Sequence, residues 1–221
     1  MKVSLIIPTL NEQGCIGRVL SEVPKKIVNE IIIVDGRSSD NTVAEARKEL
    51  RKKDKIIYQK DMGYGAAFLE AFKVVSGDCI VMMDADGSHN PKDIKQIVDK
   101  LKEGYDYVIA SRYAKGGRSE DDTLLRLLGN KIFTWMTNVV HGINTTDSLY
   151  LFTAISKQGL DKLKLKSKEF EFCTEIIVKA HKAGLKFAEV PVVERPRFAG
   201  KSKVNPLIHG LKILKIILRP Y

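Results

Sequence analysis

Five short apolar runs, KVSLIIP, EIIIVD, KIIYQ, DCIVMMD and YDYVIAS, are each bounded by polar or turn residues, with segments of helical pattern between them. This alternation constrains the fold more than any other feature of the chain. A strand followed by a helix, repeated at this rhythm, implies βαβ units and an α/β fold with a mostly parallel open sheet flanked by helices. The clearest helix is PKDIKQIVDKLKEG, where Ile94, Ile97, Val98 and Leu101 share one face, Pro91 sits in the first turn and Gly104 ends it. Residues 1–112 therefore read as an open, doubly wound half, Rossmann-like in pattern.

Ligands of such sheets bind beyond the carboxyl ends of the strands. Those ends are Pro8-Thr9, Asp35-Gly36, Gln59-Lys60-Asp61, Asp84-Ala85-Asp86 and Ser111-Arg112. Turn chemistry explains part of the set, since Asp86-Gly87 is a good turn pair and Asp40 in SSDNT a helix N-cap. It explains neither Arg112 nor the gathering of charged groups on one edge. Asp84 and Asp86 lie one residue apart where an apolar run ends. Like charges that close repel and shift each other's pKa unless a cation lies between them.

At 221 residues and 44% hydrophobic, the chain suits one α/β domain with a sizeable core. The N-terminal apolar run breaks at Pro8, too soon for a signal peptide, and no stretch reaches the ~18 apolar residues of a membrane span. Cys15, Cys79 and Cys173 lie far apart without metal-ligand spacing, as buried free thiols of a reducing compartment do. A soluble cytoplasmic protein is expected. The net charge of +10 comes with no basic stretch interleaved with aromatics and no nucleic-acid motif. Anionic lipid or a phosphate-bearing substrate suits that charge better than nucleic acid.

The ordered motifs IIPTLNE (6–12), IIIVDGRSSDNT (31–42), GYGAAF (63–68), MDADGSHNP (83–91), ASRY (110–113), GNKIFTWMTN (129–138), FEFCTEIIVKAHKAG (170–184), EVPVVER (189–195) and RFAGKSK (197–203) cover nearly the whole chain. The sequence resembles a family 2 glycosyltransferase of the GT-A fold, and within that family the dolichol-phosphate mannose synthase and polyprenyl-phosphate glycosyltransferase group. The resemblance implies a single domain over 1–221, with a nucleotide-sugar half (1–112), an acceptor half (113–203) and a basic amphipathic segment (204–221). It implies that Pro8, Glu12, Asp35 and Ala85 hold a nucleotide sugar, GDP-mannose or UDP-glucose. It makes Asp84 and Asp86 the DxD-type pair, with Asp86 a ligand of Mg²⁺ or Mn²⁺, Asp84 shared between ribose and metal, and Ser88 a further ligand. Arg112, with Asp86, is implied to be catalytic by facing the diphosphate, joined there by Arg197 and Lys203. Arg126 matches an arginine that binds acceptor phosphate, and Asn130, implied at the same site, stands where some members have Ser. Oxygen ligands suit these ions, and a metal with Arg and Lys stabilises charge gathering on a diphosphate leaving group.

The implied acceptor is a polyprenyl phosphate, which needs no general base because it is already mostly dianionic at neutral pH. Glu169 to Glu175 are the reserve bases for a sugar-hydroxyl acceptor, although Glu171 and Glu175 read first as a solvated helix face. Leu125, Leu128, Ile132, Trp135 and Val139 recur at helical spacing and read as core packing. Residues 115–122 form a polar loop suited to covering a bound substrate. The C-terminal stretch, apolar at 207, 208, 211, 214 and 218, reads either as a helix packed on the body or as a membrane-surface element. Leu151 stands where the family commonly has Gly, which puts a side chain where a close backbone approach is expected. A non-catalytic nucleotide-sugar-binding relative and a nucleotidyltransferase are the rival readings. The latter normally needs a glycine-rich, Arg-bearing N-terminal loop that this chain lacks.

Overall fold

A computed structural model of the chain describes residues 1–200 and 205–219. In chain order the elements are β1 (Val3–Thr9), α1 (Ile16–Glu22), β2 (Glu30–Asp35), α2 (Thr42–Glu49), β3 (Lys55–Tyr58), α3 (Tyr64–Ala71), β4 (Cys79–Met82), α4 (Ile94–Lys102), β5 (Tyr107–Ser111) and β6 (Arg118–Ser119). After these come α5 (Leu124–His141), β7 (Thr153–Ser156), α6 (Lys157–Asp161), α7 (Phe172–Lys182), β8 (Phe187–Pro191), β9 (Val193–Glu194) and α8 (Pro206–Ile217). Seven strands form one sheet in the order β3-β2-β1-β4-β7-β5-β8. All its pairings are parallel except those of β7, which runs antiparallel to both β4 and β5. The carboxyl ends of β1 to β5 therefore lie along one edge, as the alternating pattern implies.

Strand side chains alternate between two faces. Leu5, Ile7, Ile31, Ile33 and Val81 pack on one side with α1, α2 and α4, while Ile6, Ile32, Val34, Ile80 and Met82 pack on the other with α3, α6 and α7. With both faces covered, the strands read as unbroken apolar runs. Each such aliphatic side chain withdrawn from water stabilises the fold by roughly 1.5–3 kcal/mol. Leu151 is buried within the second of these clusters, so the core accommodates the side chain that replaces the family glycine.

Two expectations about helices fail. The apolar series of α5 does not enter the core: Leu125 is 77% and Trp135 64% exposed, with Leu128, Ile132 and Val139 also exposed. The helix turns Thr134 and Thr137 inward instead, and Phe133 packs beneath Gly210 of α8. Helix α8 in turn buries Ile213, Ile216 and Ile217 and leaves Leu207 (81% exposed), Ile208 and Leu211, with Leu218 just beyond its end, in the open. It packs on the body by one stripe and still presents a second apolar stripe. Glu175 is the second correction. It is fully buried, because its carboxylate accepts the Lys166 and Ser167 backbone N–H groups at 2.9 and 2.7 Å and pairs with Lys179 at 2.6 Å. Among the described residues no helix is long and apolar enough to cross a membrane.

Candidate functional site

Two clefts adjoin at the carboxyl edge of the sheet. The first, of about 300 Å³, is lined by Pro8, Glu12, Tyr64, Asp84, Ala85 and Asp86, with Gln59, Glu169 and Phe170 completing its wall. The second, of about 290 Å³, is lined by Arg112, Asp122, Arg126, Asn130 and Glu194. Phe170, Arg197 and His209 line both, so the clefts share a wall.

The chain reverses sharply after β4. Gly87 takes φ +90, and a Cβ there would lie 2.4 Å from the Phe198 ring, so the turn needs glycine both for its conformation and for the segment above it. That segment is fastened to the turn: Phe198 N–H donates to the Asp86 carbonyl at 2.8 Å and Arg195 N–H to the Ser88 carbonyl at 2.9 Å. The Arg195 guanidinium donates to the Gly87 and His89 carbonyls, each at 3.2 Å. These bonds bring Arg197 down to Asp86, Nη2 to Oδ2 at 3.2 Å.

Asp86 Oδ1 accepts the Ser88 backbone N–H at 2.9 Å and the Ser88 hydroxyl at 2.7 Å. Ser88 is buried and spends its hydroxyl supporting Asp86. Burial alone would raise the Asp86 carboxyl, but the Ser88 bonds, nearby His89 and Arg197 outweigh it and hold the group below its ordinary value. Asp84 accepts the Tyr64 hydroxyl on Oδ1 at 2.5 Å. Burial, then the Asp84 charge, pushes the Tyr64 phenol well above its usual value, so it remains a donor. The Asp84 backbone N–H donates to His89 Nδ1 at 3.1 Å, which places the proton of a neutral imidazole on Nε2. Burial pushes His89 down to about 4 against the pull of Asp86 and Glu194.

Asp84 and Asp86 offer the hard oxygen donors that Mg²⁺ or Mn²⁺ takes, and Asp86 already draws a cation, Arg197, to its second oxygen. Among the described residues no cluster of three or more His, Cys, Asp or Glu is arranged to hold a metal. By the chemistry of its oxygens the pair suits an ion that takes one or two carboxylates and completes its shell with phosphate oxygens and water.

The other implied site residues fall elsewhere. Asp35 is buried behind the first cleft, where it accepts the Ser38 hydroxyl at 2.6 Å and the Thr9 hydroxyl at 3.2 Å. Arg112 lines the second cleft and not the first. Its guanidinium grips Asp147 in a fork, 2.8 and 3.0 Å, and lies 3.4 Å from Glu194 and 3.9 Å from Asp122. Burial opposes its charge, but Asp147 and then Glu194 outweigh burial and keep it firmly protonated. Arg126 is exposed at the cleft rim and pairs with Asp121 at 3.2 Å, and Asn130 donates to the Tyr113 hydroxyl at 2.9 Å. Lys203 lies outside the described residues. Tyr64, His89, Asp147 and Glu194 join the site from positions to which the sequence gives no role. The motifs GYGAAF, MDADGSHNP and EVPVVER, which contain Tyr64, His89 and Glu194, flagged their neighbourhood.

Comparison with known proteins gives a family match and relatives. The profile described as Glycosyl transferase family 2 matches residues 4–163. An uncharacterized protein of Methanocaldococcus jannaschii is 32% identical over 228 residues, 99% of this chain and 92% of its own. A dolichol-phosphate mannosyltransferase of Pyrococcus furiosus is 33% identical over 93% of this chain, which spans 60% of that relative's length. Among solved structures, glucosyl-3-phosphoglycerate synthase of Mycobacterium tuberculosis, in complex with Mn²⁺, UDP and glucosyl-3-phosphoglycerate, superposes with a TM-score of 0.77 at 18% identity. That match covers 98% of this chain and 78% of the other, and at such identity the likeness is one of fold.

Proposed function

The chain belongs to glycosyl transferase family 2, and from that premise we propose that it moves a hexose from GDP-mannose or UDP-glucose to a polyprenyl phosphate, inverting the anomeric carbon by in-line displacement. The observation that carries this reading is the pair of clefts with a common wall, one acidic at Asp84 and Asp86, the other edged by Arg126 and Asn130. In-line displacement needs the attacking oxygen and the leaving group on opposite sides of one carbon, and adjoining donor and acceptor clefts support that reading. The Pyrococcus relative, by its name a dolichol-phosphate mannosyltransferase, supports the lipid phosphate.

In this reading Asp84 and Asp86 hold Mg²⁺ or Mn²⁺ against the diphosphate. The ion, when bound, supplies positive charge to the departing nucleoside diphosphate. Ser88 keeps Asp86 ionised and oriented, and Arg197, poised at Asp86, adds a second cation for the diphosphate. Arg126 receives the acceptor phosphate, while Arg112 shapes the cleft through Asp147 rather than meeting the diphosphate directly. No side chain is needed to take a proton from a phosphate dianion. Glu175 is unsuited to that task because its oxygens are engaged by backbone N–H groups and Lys179. The exposed stripes of α5 and α8, with Lys131, Lys215 and Arg126 nearby and exposed, would lie against the anionic membrane that carries the acceptor.

A sugar-hydroxyl acceptor is the second reading, favoured by Glu169, a carboxylate that lines the donor cleft. Calorimetric titration of GDP-mannose and UDP-glucose, with and without Mn²⁺, tests the donor site. One nucleotide sugar is expected to bind in a Mn²⁺-dependent way that Asp86→Ala abolishes. Folded wild-type protein that binds neither would remove the donor-site reading.

A further inference from the structure

The stretch Gly63-Tyr64-Gly65 has no role in the chemistry described above, yet the fold builds it with care. Tyr64 opens α3, and its hydroxyl reaches across the donor cleft to Asp84 Oδ1 at 2.5 Å. The ring stacks on Phe170, centroids 4.7 Å apart and planes 14° from parallel, and meets the edge of Phe68 at 5.2 Å. Both flanking glycines are required for this placement. Gly63 takes φ +126, and a Cβ there would stand 2.2 Å from the Lys168 carbonyl oxygen; at Gly65 it would stand 2.5 Å from the Ser167 carbonyl oxygen. The start of α3 is thus pressed against residues 167–172, the Ala66 N–H donates to the Lys168 carbonyl at 3.0 Å, and a side chain on either glycine would push Tyr64 away.

Asp84 is held from a second side as well. Its backbone N–H is fixed to His89 Nδ1, and the imidazole is stacked on Phe152 at 4.9 Å. His89 thus sets the main chain of Asp84 and lies with Nε2 3.6 Å from Oδ2 of its carboxylate, while Tyr64 holds Oδ1. The ring stack explains an aromatic residue at position 64 but not the hydroxyl, since phenylalanine would stack equally well.

We propose that Tyr64 is a positioning residue of the donor site, whose hydroxyl, bonded to Oδ1, fixes the orientation in which the Asp84 carboxylate meets the metal-bound nucleotide sugar. The assignment rests on the nucleotide-sugar reading of the first cleft. A carboxylate free to rotate loses that freedom when it binds, whereas one already held does not, so the hydroxyl acts by preorganisation. Removing partners that orient a metal-site ligand typically lowers affinity by about 10- to 100-fold.

Tyr64→Phe deletes the hydroxyl and keeps the stack. GDP and UDP are titrated with Mn²⁺ into wild type, Tyr64→Phe, Asp84→Ala and the double variant, the weaker binders at millimolar nucleotide, and each protein is melted in parallel. Tyr64→Phe is expected to weaken the nucleotide that wild type binds by about tenfold or more. In the Asp84→Ala background it is expected to weaken binding no further, and Tyr64→Phe should stay folded, melting no more than about 12 °C below wild type for the one charged hydrogen bond lost. Unchanged affinity in Tyr64→Phe overturns the assignment. An equal loss in both backgrounds also overturns it, since Tyr64 would then act on the ligand without Asp84. If wild type binds neither nucleotide, the nucleotide-sugar reading itself fails and takes this assignment with it.

Discussion

Truncating Arg112 to Met would remove a guanidinium that faces Asp147, Glu194 and Asp122 at 2.8, 3.4 and 3.9 Å. Asp147 is fully buried and Glu194 nearly so, which leaves two carboxylates with little water to replace the lost partner. Breaking a buried ion pair by deleting one member costs about 3–5 kcal/mol. For a chain of this size each kcal/mol lowers the melting temperature by about 2–4 °C, so Arg112→Met should melt roughly 6–20 °C below wild type. The pH dependence carries a further signature. Burial already raises the Glu194 carboxyl, and Arg112 is the main group pulling it back down. Without Arg112 that carboxyl rises further, so the folded variant binds a proton more readily than the unfolded chain does. Stability of the variant should then recover as pH falls from 7 toward 5, because protonation discharges the cluster. Glu194→Gln added to Arg112→Met should restore part of the loss at pH 7. Thermal melts followed by circular dichroism at pH 7 and pH 5 measure both effects. An Arg112→Met protein that melts with wild type at pH 7 would refute the view of Arg112 as the keystone of the second cleft.

Two other outcomes follow from the same geometry. Glu175→Gln is expected to destabilise the fold by about 1–3 kcal/mol, because backbone N–H groups of Lys166 and Ser167 lose a charged acceptor. Turnover per folded molecule should stay unchanged, and a drop of a hundredfold in kcat without destabilisation would make Glu175 a base after all. On the outer face, Trp135→Asp should lower partition onto anionic phospholipid vesicles by about tenfold or more, taking ~1.5–3 kcal/mol for one large apolar side chain withdrawn from water. Equal sedimentation of wild type and variant with vesicles would show that the exposed face of α5 does not touch the bilayer.

Much of the fold was legible because the parallel strands are buried on both faces and so appear as unbroken apolar runs with polar ends. Strand β7 escaped because Thr-Ala-Ile-Ser is short and half polar, and only its insertion between β4 and β5 makes it a strand. The acidic turn was legible too, since two carboxylates one residue apart at a strand end are locally expensive. Arg112 shows where the reading ends. Its partner Asp147 lies 35 residues away and Glu194 82 residues away, and no local pattern reports that three carboxylates close around it. The α5 series shows a different limit. Helical periodicity identifies an apolar stripe but not what covers it, and here the described chain turns the other face of the helix inward. Glu175 fails for a related reason, because loop 165–168 folds back to supply the N–H groups that bury it. Tyr64 was hidden because its meaning depends on Asp84, twenty positions along the chain.

The most direct test of the proposed transfer is to incubate the protein with Mn²⁺, a polyprenyl phosphate in detergent and either GDP-mannose or UDP-glucose, and to follow the lipid fraction by mass spectrometry. Expected is one product heavier than the acceptor by a single hexose residue, formed with one of the two donors and absent with Asp86→Ala. Transfer to a sugar hydroxyl while the polyprenyl phosphate stays unmodified would contradict the lipid-phosphate acceptor and move the reaction to the reading in which Glu169 serves as base.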